Sequence, residues 1–160
     1  MENGEIQNPS ITSKRIIGLV AFTFLITFVV ARLFVYLVLG HLLPNFFLEI
    51  RGVHIHHFTY GVVILVIVGL YLLLRRPAHE TDSFRWSALF YGIGLGLTFD
   101  EFGMWIMLQD NYWMRQSYDA VIIVALILLN IAFYRFVGKV LNVLFWRQIK
   151  KVYAFFKFRE

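Results

Sequence analysis

Apolar residues in this chain do not alternate with polar ones. They come in four long runs broken by short polar interruptions. Crossing the hydrocarbon of a bilayer takes about 20 apolar residues. That length predicts membrane-spanning helices over about 16–40, 57–74, 86–108 and 120–137, after a polar tail over residues 1–13. The run after Lys14 and Arg15 is too long for the apolar region of a signal peptide and has no small-residue cleavage site, so it reads as a retained first span.

A fifth segment, residues 144–159, has a different pattern. Phe145, Ile149, Val152, Tyr153 and Phe156 recur at helical spacing, and Arg147, Lys150, Lys151 and Lys157 fill much of the remaining circumference. Such a helix lies in an interface, with its basic face toward anionic lipid. The expected fold is therefore an all-α integral membrane protein: a four-transmembrane-helix bundle with a C-terminal amphipathic interfacial helix, forming one membrane domain over residues 1–160. Pro44 and Asn45 break the first helix, and Phe46–Ile50 has the composition of a short surface or re-entrant helix.

Charge supplies an orientation. Lys14 and Arg15, then Arg75, Arg76 and Arg85, then seven basic residues from Arg135 to Arg159 fall on one side of such a bundle. Only Arg51 and Arg115 fall on the other. The positive-inside rule then puts both termini in the cytoplasm, as in a bacterial inner membrane. The net charge of +5 thus reads as topology and lipid contact, and no separate soluble basic domain points to nucleic acid. The chain is 59% hydrophobic and contains no cysteine. Disulfides, thiolate ligands and cysteine-held iron–sulfur clusters are excluded.

The polar residues inside the runs carry the candidate chemistry, because ionisable groups within a membrane are costly and tend to be functional. His54, His56 and His57 stand at the start of the second span. Asp100 and Glu101 lie inside the third, Asp119 begins the fourth, and Arg32 lies in the second half of the first. Asp100 comes 14 residues after Trp86, about 21 Å along a helix, which brings it to the depth of the histidines. Gly92, Gly96, Asp100 and Gly103 share a stripe whose small residues permit close helix approach, turning Asp100 inward. If the histidine segment is helical, His54 and His57 share a face; if it is extended, His54 and His56 do.

Two imidazoles and one or two carboxylates suit a divalent transition metal, zinc or iron first. His54, His56, His57 and Asp100 are the ligand candidates. Glu101 or Asp119 would be the general base or a further ligand. Arg32 is placed to bind an anionic head group. Tyr112 fits the site or an interfacial aromatic belt with Trp105 and Trp113. The same residues also suit a metal-free proton or ion site, or a structural network in which Asp100 pairs with Arg32.

Three function classes follow: a metal-dependent hydrolase acting on a lipid or other membrane-associated substrate at the outer leaflet, a proton- or ion-binding transport or channel component, and a structural or partner-binding membrane protein. The apolar stretch Val62–Leu74 offers a single chain no path across the membrane, so transport would call for a homo-oligomer. Bis-histidine haem ligation is poorly served, since the membrane-facing histidines all come from one segment.

Val53-His54-Ile55-His56-His57 with Tyr60-Gly61, Phe99-Asp100-Glu101-Phe102 with Trp105, Tyr112-Trp113 and Ser117-Tyr118-Asp119-Ala120-Val121 together resemble a family of small, uncharacterised bacterial integral membrane proteins. The pattern is HxHH…DEF…YW…SxDAV, and the resemblance covers the middle half of the chain. It implies a membrane location and adds no mechanism. The combination of helix-borne histidine and aspartate is also similar to intramembrane zinc hydrolases of the ceramidase and adiponectin-receptor type, which have seven spans and different spacing.

Overall fold

The computed structural model describes residues 9–44, 49–50, 53–78, 81–109 and 111–157. The first run is one helix, α1 (Pro9–Leu39). It stops in a Schellman motif: Leu42 N–H bonds to Leu37 C=O at 2.9 Å and His41 N–H to Val38 C=O at 3.0 Å, with His41 left-handed at φ 56°. Pro44 follows just beyond. Next comes a short antiparallel pairing of β1 (Glu49–Ile50) with β2 (Val53–His54), in which Glu49 faces His54. Residues 49–50 are thus extended, where the composition suggested a surface helix; residues 46–48 lie outside the described residues.

The second run is α2 (His57–Arg75). It ends where Arg76 turns left-handed ahead of Pro77, which cannot continue a helix. α3 (Asp82–Asp100) starts at Thr81, whose hydroxyl accepts from Phe84 N–H, with Asp82 in the first turn. The expected third span over 86–108 is not one continuous helix. It breaks at Glu101 (φ −104°, ψ 10°) and resumes as α4 (Phe102–Met107). The fourth run begins at Arg115, five residues earlier than expected, and forms α5 (Arg115–Lys157). Phe133 interrupts α5 with non-helical angles (φ −117°, ψ 18°). The proposed interfacial segment therefore continues the same helical run past a kink, and side chains from 147 onward lie outside the described ones.

α3 is the central helix, held between α1 and α2, while α5 packs mainly on α1. Two sets of glycines allow this. A Cβ at Gly92 would lie 2.6 Å from Val20 C=O of α1, and one at Gly61 would lie 2.7 Å from Thr98 N of α3. Neither interface has room for a methyl group.

The polarity runs opposite to that of a water-soluble bundle. Thr23, Arg32, Ser87, Asp100, Glu101 and Ser117 are buried, whereas Val29, Val30 and Leu33 of α1, Val66, Ile67 and Leu70 of α2, and Ile122, Ile123 and Leu126 of α5 are exposed. Helices with apolar exteriors and satisfied polar interiors are what lipid demands. Among the described residues, three segments are long and apolar enough to cross a membrane: Ser13–Leu39, His57–Arg75 and Arg115–Tyr134. α3 is not among them.

Candidate functional site

One end of the bundle gathers five charged or titratable side chains from three helices. Arg32, in α1, is 5% exposed; Asp100 and Glu101, at the α3–α4 break, are 0% and 1% exposed. The Arg32 guanidinium donates from Nε to Asp100 Oδ1, from Nη2 to the Asp100 carbonyl and from Nη1 to the Tyr112 carbonyl. Its Cζ also lies 4.9 Å from the ring centre of Tyr118 and 5.7 Å from that of Phe28, a cation–π arrangement. Arginine suits this position because its planar fork engages several acceptors at once while its faces meet aromatic rings.

The second Asp100 oxygen, Oδ2, lies 2.6 Å from His57 Nε2. The other nitrogen of that ring, Nδ1, lies 3.3 Å from Glu101 Oε1, and His56 Nδ1 lies 3.2 Å from the same oxygen. Glu101 Oε2 accepts the main-chain N–H of Phe58 at 2.8 Å. That N–H belongs to the first turn of α2, where donors lack partners within the helix. His56, at the N-cap, makes no side-chain cap. A carboxylate from another helix fills the role, helped by the positive end of the helix dipole. The break at Glu101 makes this possible: Asp100 bridges Arg32 of α1 and His57 of α2, while Glu101 turns to the start of α2. No buried side-chain polar atom among the described residues lacks a partner.

Around this network the aromatics close in. Phe58 stacks on Trp105 at 5.6 Å, and Tyr36 lies 4.6 Å from Trp113. A cavity of about 360 Å³ opens beside it, lined by His56, Phe58, Thr59, Glu101, Met104, Trp105, Leu108 and Gln109. His56 and Glu101 form its polar end, and most of the other walls are apolar.

The expected site residues divide clearly. Arg32, His56, His57, Asp100 and Glu101 come together. Tyr112 touches the network through its carbonyl and lies 6.3 Å, ring to ring, from His56. Asp119 does not join them. It is half exposed and pairs with Arg115 one turn earlier, 3.3 Å away on the surface of α5. One residue further round would have aimed it elsewhere; Ser117, on the buried side, instead accepts Gly103 N–H at 2.9 Å and ties α4 to α5. The sequence reading missed this role, because a serine in a helix carries no mark of which neighbour it meets. His54 pairs by its main chain with Glu49, and its side chain lies outside the described ones.

Among the described residues no group of three or more histidine and acidic side chains has the arrangement of a metal site. Both Asp100 oxygens already accept from Arg32 and His57. No protein-family model, curated protein or solved structure matches the chain.

Proposed function

We propose that this chain is a four-span protein of a bacterial inner membrane, with both termini cytoplasmic, whose Arg32–Asp100–His57–Glu101–His56 network binds an exchangeable proton near the outer face. In that reading α3 is the fourth span. It is sheltered by α1 and α2, and so needs less apolar surface of its own. The amphipathic continuation of α5 rests on the anionic inner leaflet.

The observation that carries the proton reading is the environment of His57, which has a carboxylate oxygen beside each ring nitrogen. A neutral imidazole donates from only one nitrogen, and an imidazolium donates from both. Arg32 and a protonated His57 balance the two carboxylates; loss of the proton leaves one negative charge in a site of low polarity. The network is therefore a two-state element whose charge follows the proton, and His56 connects it to the cavity. A homo-oligomer would supply the remaining path if the proton crosses the membrane. The test is proton uptake by purified protein in nanodiscs on acidification, compared with His57→Gln. Wild type should take up one proton more than His57→Gln. Equal uptake would sink the reading.

A second reading, metal-dependent hydrolysis of a lipid or other membrane-associated substrate, is favoured by one contact pattern. His56 Nδ1 and His57 Nδ1 both face Glu101 Oε1. Asp100 on the far nitrogen of His57 is the kind of partner that orients a ligand histidine. Zinc or iron in place of the proton would need Glu101 to release His56. Elemental analysis of gently purified wild type and of His56→Ala tests it: about one metal per chain, lost in the variant, would favour hydrolysis over proton binding.

A further inference from the structure

The opposite end of the bundle holds a second cavity, about 470 Å³, between α1 and α5. It is lined by Ser13, Lys14 and Ile17 of α1 and by Asn130, Ile131 and Tyr134 of α5. Lys14 and Arg15 precede the first long apolar run and Arg135 interrupts the last, so the cavity sits where two spans meet their boundary. Two of its polar groups, the Lys14 ammonium and the Asn130 amide, have no hydrogen-bond or ion-pair partner among the described residues. Asn130 is 15 residues into α5, about 22 Å along its axis, within the apolar run that Arg135 interrupts. An amide at that depth is costly unless something accepts from it. Ile17, one turn deeper on α1 than Lys14, makes an apolar wall below the polar mouth.

We infer that this cavity binds one anionic glycerophospholipid. Its phosphate pairs with Lys14, an ester carbonyl accepts from the Asn130 amide, and an acyl chain runs down past Ile17. The charge pattern selects the anionic class. Among the described residues no acidic one lines the cavity; Lys14 is the charged residue in its lining, next in sequence to Arg15. Basic pockets between membrane helices hold such head groups. Apolar walls and an apolar floor are of no use to a free anion, and they favour a lipid over soluble phosphate. The inference rests on the membrane-spanning helices and not on the proton site.

The test is native mass spectrometry of full-length protein released from nanodiscs of phosphatidylglycerol and phosphatidylcholine in equal parts. Wild type should retain one phosphatidylglycerol. Lys14→Ala should lower the retained fraction about fivefold, as expected for one basic group at a membrane surface. Lys14→Arg should restore it, and Asn130→Leu should lower it again. Lys150→Glu with Lys151→Glu, which removes charge from the C-terminal segment alone, should leave it unchanged. Retention unaffected by Lys14→Ala and Asn130→Leu would overturn the inference, as would loss confined to the Lys150 and Lys151 variant. Displacement of the lipid by millimolar inorganic phosphate would assign the cavity to a soluble anion and overturn it equally.

Discussion

The two ends of this bundle handle polarity in opposite ways. At the α3–α4 break, Arg32, Asp100 and Glu101 are buried against two partly exposed histidines, and among the described residues every buried side-chain polar atom is partnered from within the chain. Between Lys14 and Tyr134, polar groups line an open cavity, and two of them are left without a partner among the described residues. Depth explains the difference. A charge far from water must bring its counter-charge with it. A charge at the boundary can take one from the surroundings. The first end should therefore be sensitive to any single deletion, and the second should tolerate deletions and show them in binding instead.

The largest effect should come from Asp100. Asp100→Ala leaves Arg32 buried without its carboxylate, and removing one member of a buried pair costs about 3–5 kcal/mol. Thermal unfolding in detergent should show it. Asp100→Leu with Arg32→Met should recover much of the loss, because an apolar pair of similar bulk carries no desolvation penalty. A double variant as unstable as the single one would mean that the network holds the fold by more than charge balance. At the open end, Lys14→Ala should leave the unfolding temperature unchanged.

Gly92→Ala comes next. Its Cβ would lie 2.6 Å from a main-chain oxygen of α1, so the helices must part, at a cost of about 1–3 kcal/mol. Gly69→Ala on α2 meets nothing within 4 Å and should be neutral or slightly stabilising. Similar shifts for both would show that α3 is not clamped on α1 as described. Glu101→Gln should cost less, about 1 kcal/mol, since an amide oxygen still accepts from Phe58 N–H but loses its charge against the helix dipole. Glu101→Ala, which removes the acceptor, should cost more than Glu101→Gln. Asp119→Ala should have the smallest effect. Its partner Arg115 is almost fully exposed, and such i,i+4 pairs contribute little. Proton uptake in Asp119→Ala should match wild type; a loss there would return Asp119 to the site.

The helical architecture was legible because its signal is one-dimensional. Run lengths mark where helices form, and α2 begins at His57, where the expected span begins. Positions along a helix also count out depth. Arg32, His56, His57, Asp100 and Glu101 could thus be grouped without any knowledge of packing.

The direction each residue faces was decided by the tertiary structure. A continuous third span would have set Glu101 about 100° from Asp100 on one helix. The break at Glu101 instead lets two neighbouring carboxylates converge on the start of α2, with Asp100 also holding Arg32 of α1. Asp119 had the right depth and the wrong face. Three partners of the network act through the main chain: the Tyr112 and Asp100 carbonyls and the Phe58 N–H. Every residue but proline carries both groups, so no residue type marks these positions, and only the assembled bundle could reveal them.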